Sequence, residues 1–363
     1  MQRPIWELMK NDEKMRCRIW ILFLFAGFCL LTVRAQSETI RVVCYNVENL
    51  FDVQDDSLTN DSEYLSGGIR GWTYKRYTKK LSNISKVITA IGGWTPPAIV
   101  GLCEIENRHV LEQLTRYAPL KAFRYQIVHY ESPDMRGVDV GLLYQKDKFR
   151  PIASEAIPIC FPFDTVAKTR DILYVKGMLN NSDTLHLFVN HFPSRLGGEL
   201  ASEPRRIYVA SVLRSKVDSI FNQSATAKIV IMGDFNDYPT NKSLTQTLRA
   251  TPFDTTTTIA PQTLYNLFYT MHTDGIKGSY KHDGEWGMLD QIIVSDGLLR
   301  TDSRTVVVPN SANVFNPDWL LEDDVKQLGK RPARTYVGMK FNNGYSDHLP
   351  IFVDILIRTN TPK

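Results

Sequence analysis

Short apolar runs separated by Gly, Pro, Asn and Asp recur along the chain, and their spacing predicts strands at 40–45, 98–102, 125–129, 138–144, 172–179, 184–190, 228–232, 291–294 and 351–357. Two segments carry a helical period instead. Leu81, Ile84, Val87, Ile88 and Ile91 line one face of 77–91, and Ile207, Val209, Val212, Leu213, Val217 and Ile220 line one face of 203–221. Many strands and few helices predict an α+β fold in which helices cover the outer faces of sheets. The segments 58–74, 272–287 and 310–334 read as long loops, a feature that in a compact domain is usually functional or disordered.

The strand at 228–232 is apolar on both faces, as in the middle of a covered sheet, yet it closes on Gly233-Asp234-Phe235-Asn236. Gly233 lets the backbone bend sharply. If the strand runs on, Asp234 and Asn236 point the same way. Other strand ends are equally polar: Asn46 and Glu48 after the first, Glu104, Asp139, Asn190-His191 with Arg195 beyond, Leu289-Asp290, and Asp347-His348. Any one of these could be a solvated turn. Together, carboxylates at one end of several strands would repel unless a cation sat among them. Hard oxygen ligands with amides suit Mg²⁺, or Mn²⁺ or Ca²⁺, and the scarcity of His and Cys disfavours zinc.

Composition changes this picture little. The 363 residues are 43% hydrophobic, enough for a sizeable core, and the formal charge is +4, too mild to point to nucleic acid by itself. The N-terminus changes it more. Lys14, Arg16 and Arg18 precede the apolar stretch 20–33, and Val33-Arg34-Ala35 follow, which describes a secretion signal over 1–35 with Met15 as an alternative start. Its apolar run is short for a membrane span of ~20 residues. That leader carries six of the 43 Lys/Arg and three of the 39 Asp/Glu, so the remaining chain, 36–363, is nearly neutral. It is expected to be one domain, secreted or periplasmic, monomeric and without stable membrane association. Cys44, Cys103 and Cys160 remain, an odd number at irregular spacing, and read as structural.

Asn46 and Glu48, Glu104, Asn190-His191, Gly233-Asp234-Phe235-Asn236, Leu289-Asp290 and Ser346-Asp347-His348, in that order over 41–354, together resemble the endonuclease/exonuclease/phosphatase superfamily. Asn190 to Gly198, Arg334-Thr335-Tyr336 and Gly344 to His348 are most similar to its secreted bacterial branch. The resemblance implies a four-layer α/β/β/α sandwich of two packed mixed sheets flanked by helices. It implies in-line attack of water on a phosphoester. The metal ligands would be Asn46, Glu48, Glu104 and Asp347. His348 would act as base or stabilise the charged phosphorane, with Asp290 holding its tautomer. Asp234 would activate water or hold metal, Asn236 would donate to phosphate, and His191 would contact phosphate or protonate the leaving group. Asp139 would orient His191, while Asn190, Arg195 and Trp286 would border the substrate. Tyr64, Trp72, Tyr74, Arg76 and Tyr77 read as a surface that stacks bases and binds phosphates or, slightly better, as a lid packed on the helix that follows.

The expected activity is a metal-dependent phosphodiesterase, with DNA or RNA as substrate. A phosphatase or phospholipase C-type enzyme on inositol phosphates, nucleotides or phospholipid head groups is the alternative. A non-catalytic binding protein is disfavoured because no catalytic position is lost. Near-neutral charge argues against strong duplex binding. No exposed hydrophobic hairpin is evident that would insert into lipid.

Overall fold

The computed structural model describes residues 37–359 except Ala118, Thr255 and Ile276, so the segment read as a secretion signal lies outside the described residues. Strand β1 (Ser37–Leu50) opens the first sheet, with Val42, Val43, Cys44 and Tyr45 fully buried, as a strand covered on both faces requires. Helix α1 (Tyr74–Gly92) carries the chain over that sheet so that β2 (Ile99–Ile105) pairs parallel to β1. Thr73 caps α1 by accepting from Arg76 N, and Gly93 ends it at φ +64°. Helix α2 (Arg108–Arg116), capped by Asn107, leads to the antiparallel strands β3 (Gln126–His129) and β4 (Asp139–Tyr144).

The second sheet is laid down next. It contains β5 (Phe149–Ile157), β6 (Ile172–Leu179), β7 (Thr184–His191), β8 (Lys228–Asp234), β9 (Ala250–Pro252), β10 (Leu264–Asn266) and β11 (Asp290–Ser295). Its spatial order is β5-β6-β7-β8-β11-β10-β9. Helix α3 (Glu199–Gln223) makes the crossover between parallel β7 and β8. The chain then returns to the first sheet with β12 (Thr305–Val307), β13 (Asn313–Val314) and β14 (Ile351–Arg358). That sheet runs β12-β14-β1-β2-β4-β3, with β13 also paired to β14.

The two sheets pack face to face. Gly101 of β2 comes so close to the second sheet that a Cβ there would lie 3.0 Å from Met232 Sδ and 3.3 Å from Val189 Cγ1. On the far side, Val209, Leu213 and Val217 of α3 pack on Phe188, Ile229 and Ile231. Leu81, Ile84 and Ile88 of α1 and Val110 and Leu111 of α2 close the other outer face. The expected four-layer α/β/β/α sandwich is the fold observed, and Glu38–Ile357 form one compact unit.

One local expectation holds, the packed lid, and two change. The loop 58–74 is anchored: Trp72 is fully buried with its indole N–H on Phe51 O, and Tyr64 stacks on Phe51, so neither ring is free to stack a base. The loop 272–287 contains a hairpin of Tyr280–His282 and Glu285–Gly287. Cys44 and Cys103 are buried, but Cys160 is exposed and fills no core position.

Candidate active site

One rung of the second sheet assembles the chemistry. His191 on β7 stands in register with Asp234 on β8, and Asp234 stands in register with Asp290 on β11. Register partners share a face, so a purely topological relation collects three polar side chains from distant sequence positions. Asp290 Oδ2 meets His348 Nδ1 at 2.7 Å, and the other ring nitrogen of His348 lies 3.7 Å from Asp234 Oδ2. His191 Nε2 also lies 3.7 Å from Asp234 Oδ2. Asn46 donates to Asp234 Oδ2 at 3.0 Å, and the backbone N–H of Asn236 donates to Oδ1 at 2.9 Å.

The carboxylates opposite are aimed by irregular backbone. The β1–β2 and β2–β4 ladders slip register around Glu48-Asn49 and Glu104, and all three residues have φ between +52° and +61°. Bulges of this kind re-aim side chains at a sheet end, and a non-glycine residue at such φ is strained. Asn49 N–H locks Glu104 by donating to Oε2 at 2.9 Å, leaving Oε1 at 3.8 Å from both His191 Nε2 and Arg136 Nη2. Asn236 turns out of the strand at φ +48°, so it reaches the site through a turn and not by strand alternation. Its amide donates to Phe192 O at 3.0 Å.

These residues face a cavity of about 670 Å³ whose lining includes Glu104, His191, Asp234, Asn236, Asp347 and His348. Its oxygen donors fit a hard divalent cation: among the described residues Glu104 Oε1 accepts no hydrogen bond, and Asp347 accepts through Oδ2 alone, from Arg334 Nη2 at 2.6 Å. Asp234, Asp290 and His348 also cluster with their ligand atoms within 4.8 Å. Asp290 Oδ2 is already committed to His348 there, so that trio reads as proton-handling machinery.

Burial drives the electrostatics. It pushes Asp234 up to about 6, against the opposing pull of His348. Burial alone would depress His348, but Asp290 and Asp234 outweigh it and hold the imidazole well above its ordinary value. His191 moves the other way, depressed by burial and by Arg170, Arg136 and His348. At neutral pH the free site therefore holds a protonated His348, an ionised Asp234 and a neutral His191.

A family model described as "Endonuclease/Exonuclease/phosphatase family" matches residues 41–357. The chain belongs to this family. Solved structures with the same fold include a family protein from Bacteroides thetaiotaomicron, at TM-score 0.54 and 16% identity over 89% of this chain and 99% of that one. A mannosyl-6-phosphatase from the same organism matches at TM-score 0.54 and 15% identity, over 87% and 99%. D. rerio TDP2 complexed with single strand DNA product matches at TM-score 0.52 and 15% identity, over 89% and 100%. No curated protein matches the chain. The endonuclease/exonuclease/phosphatase family consists of hydrolases of phosphoester bonds that generally use divalent metals, and this chain has their fold.

Within this family member several expected roles change place. Asp139 does not orient His191. It bonds His129 Nε2 at 3.1 Å and Ser132 N at 3.0 Å, because strand alternation puts it on the β4 face of Gly141, which packs against α2. His191 Nδ1 is buried with no hydrogen-bond partner among the described residues. Asn190 is fully buried behind the cavity, donating to Met232 O at 3.1 Å. Arg195 is spent on the loops, with Nε on Asn236 O at 2.8 Å, Nη1 on Glu199 and Nη2 on Asn241, so it shapes the rim without a fork to offer phosphate. Trp286 pairs with Lys281 on the hairpin face opposite Tyr280, and Tyr280 and Tyr238, not Trp286, border the cavity.

Glu48 is displaced from the cavity as well. Its Oε2 accepts from Thr335 N at 2.6 Å and lies 3.9 Å from the buried Lys80 Nζ, and its Oε1 lies 3.5 Å from Arg334 Nε. Burial and the like charge of Asp347 push it up to about 7 despite those cations. It braces Arg334 and Asp347. Sequence reasoning assigned no role to Arg136, Tyr238 or Tyr280. Tyr280 packs on the His348 ring, centroids 4.7 Å apart, and Arg136 reaches the cavity from the β3–β4 turn. Arg136 directly precedes Gly137 and stands three residues before Asp139, and that proximity was the available signal; Tyr280 had none.

Proposed function

We propose that the protein is a divalent-metal-dependent phosphodiesterase that cleaves nucleic acid outside the cytoplasm, reached through the N-terminal signal, and that it acts as a monomer. The observation that carries this reading is the His191–Asp234–Asp290 rung with His348 held on Asp290. Asp234, ionised above about pH 6, accepts the proton of the attacking water as its oxygen bonds to phosphorus; the P–O bond on the opposite side breaks, and the leaving oxygen takes its proton from solvent. Protonated His348 offers its Nε2–H to charge developing on the phosphorane, and Asp290 keeps that ring charged and oriented. Neutral His191 and Arg136 contact the phosphate oxygens from the β7 and β4 sides, and Asn236 supports the same oxygens. Glu104 and Asp347 would hold the metal ion, whose chemistry there would be neutralisation of phosphate charge, while Asn46, with Oδ1 on Glu48 N at 3.0 Å, positions Asp234 beside them.

Near-neutral charge favours single-stranded or short substrates over tight duplex binding. A lipid head-group reading draws on one observation: Leu196 at the cavity rim and nearby Leu200 are 91% and 81% exposed. Both readings are tested by offering the Mg²⁺-loaded protein single-stranded DNA, RNA and sphingomyelin vesicles. Cleavage of the nucleic acids over the lipid supports the first reading, cleavage of lipid alone supports the second, and inertness toward all three defeats both.

A further inference from the structure

A second cavity, of about 260 Å³, adjoins the first, and Asp347 lines both. Its walls are the anchored loop after β1 and the small hairpin of Tyr336–Val337 and Lys340–Phe341. Arg70 enters from the loop. Its guanidinium carbon sits 5.1 Å from the Tyr64 ring centre and 5.3 Å from that of Tyr336. Only Nε is engaged, by Glu63 at 2.9 Å, and the two terminal nitrogens have no protein partner among the described residues.

The loop is built to hold that posture. Arg76 donates to the carbonyls of Arg70 and Gly71, Tyr336 Oη donates to Arg70 O at 3.0 Å, and buried Trp72 pins the next residue. Asn49 also lines the cavity, and its carboxamide has no protein partner among the described residues. The anions nearby are already balanced: Glu48 by Lys80 and Arg334, and Asp347 by Arg334. Recognition here must therefore come from directed donors more than from net charge. A pre-positioned planar fork with free N–H groups matches a tetrahedral oxyanion bidentately, a geometry that lysine cannot reproduce. A fork already clamped between two rings loses little freedom on binding.

We propose that this cavity is a subsite for a second phosphate group of the substrate, bound by Arg70 with Asn49 while the scissile phosphate lies across Asp347 in the main cavity. The inference rests on the phosphoesterase reading of that main cavity and narrows it to substrates with at least two phosphates. Two sources share this chemistry: the neighbouring phosphate of a nucleic acid strand, and a second phosphate on a small molecule.

The test compares wild type with Arg70→Gln and Arg70→Lys on three substrates: bis(p-nitrophenyl) phosphate, a single-stranded tetranucleotide and an inositol bisphosphate. The proposal predicts a loss of about tenfold in kcat/KM for Arg70→Gln on the multi-phosphate substrate that is cleaved, carried by KM, with less than about twofold change on the one-phosphate probe. Arg70→Lys should recover only part of the loss. Which multi-phosphate substrate responds identifies the source. Equal effects on all cleaved substrates, or none on any, overturn the subsite. Thermal melts of each variant separate a binding defect from misfolding. If wild type cleaves nothing, the phosphoesterase reading fails on its own. The subsite is then judged by soaking crystals of the protein in inorganic phosphate: an oxyanion on the Arg70 fork supports it, and an empty cavity overturns it.

Discussion

Asp237 follows the site residue Asn236, and a buried ion pair fixes it. Arg206 on α3 is fully buried, with Nε 2.7 Å from Asp237 Oδ1, Nη1 on Ser202 Oγ at 2.6 Å and Nη2 on Glu199 O at 3.0 Å. The Nε contact lacks hydrogen-bond alignment, so the attraction is chiefly coulombic. With charge centres ~4 Å apart and an effective dielectric of ~20, the gross attraction is about 4 kcal/mol. Removing one partner leaves the other poorly compensated in the interior, Asp237 keeping only Ser243 Oγ at 2.6 Å and Arg195 Nη2 at 3.7 Å, which costs roughly 3–5 kcal/mol. Arg206→Met and Asp237→Asn should each lower stability by that amount, or roughly 4–8 °C in Tm for a domain of this size. The double variant should be no worse than the poorer single, giving a coupling of about 2 kcal/mol or more. Thermal and urea melts of all four proteins measure this. Singles within about 1 kcal/mol of wild type, or a double variant whose loss is the sum of the two, would refute the reasoning.

Asp290→Asn should leave the fold intact but lower kcat by about 10²–10⁴, because His348 loses the group that fixes its charge and tautomer; steady-state kinetics with a circular dichroism control checks this. His186, buried with Nδ1 2.8 Å from Tyr174 Oη, is depressed by burial to about 4. Between that value and its ordinary one near 6.5 the unfolded chain binds the extra proton. Its contribution of up to about 3 kcal/mol is therefore complete above ~6.5 and lost as pH falls to ~4. His186→Phe should flatten the pH dependence of Tm across that window, and an unchanged slope would count against the assignment. Gly101→Val should destabilise by about 1–3 kcal/mol in urea melts, since its side chain would push into Met232 and Val189 between the sheets.

The sequence made the sandwich legible where strands are buried on both faces. The apolar runs of β1, β2, β7, β8 and β11 carry a signal that needs no tertiary information, and both long helices show their period. Elements were missed where tertiary contact creates them. β5 is an edge strand with alternating exposure and mixed composition, and the 280–287 hairpin has no hydrophobic pattern. The site divides along the same line. Asp234, Asp290, His348 and Glu104 were readable because each interrupts an apolar strand end. Asp139 and Trp286 were misplaced because the face on which a residue emerges depends on register, which spacing alone does not supply. Glu48 was misplaced because Lys80 and Arg334, which claim its carboxylate, arrive from far along the chain.

Asp234 and Asp290 on one sheet rung, with His348 held on Asp290, are proposed to hydrolyse a phosphodiester. The most direct measurement is the rate of bis(p-nitrophenyl) phosphate hydrolysis by the purified protein with Mg²⁺, across pH, for wild type, Asp234→Asn and His348→Ala. The wild-type rate should fall below about pH 6, as Asp234 takes up a proton, and both variants should lose at least about 10²-fold. Full activity in either variant would contradict this proposal.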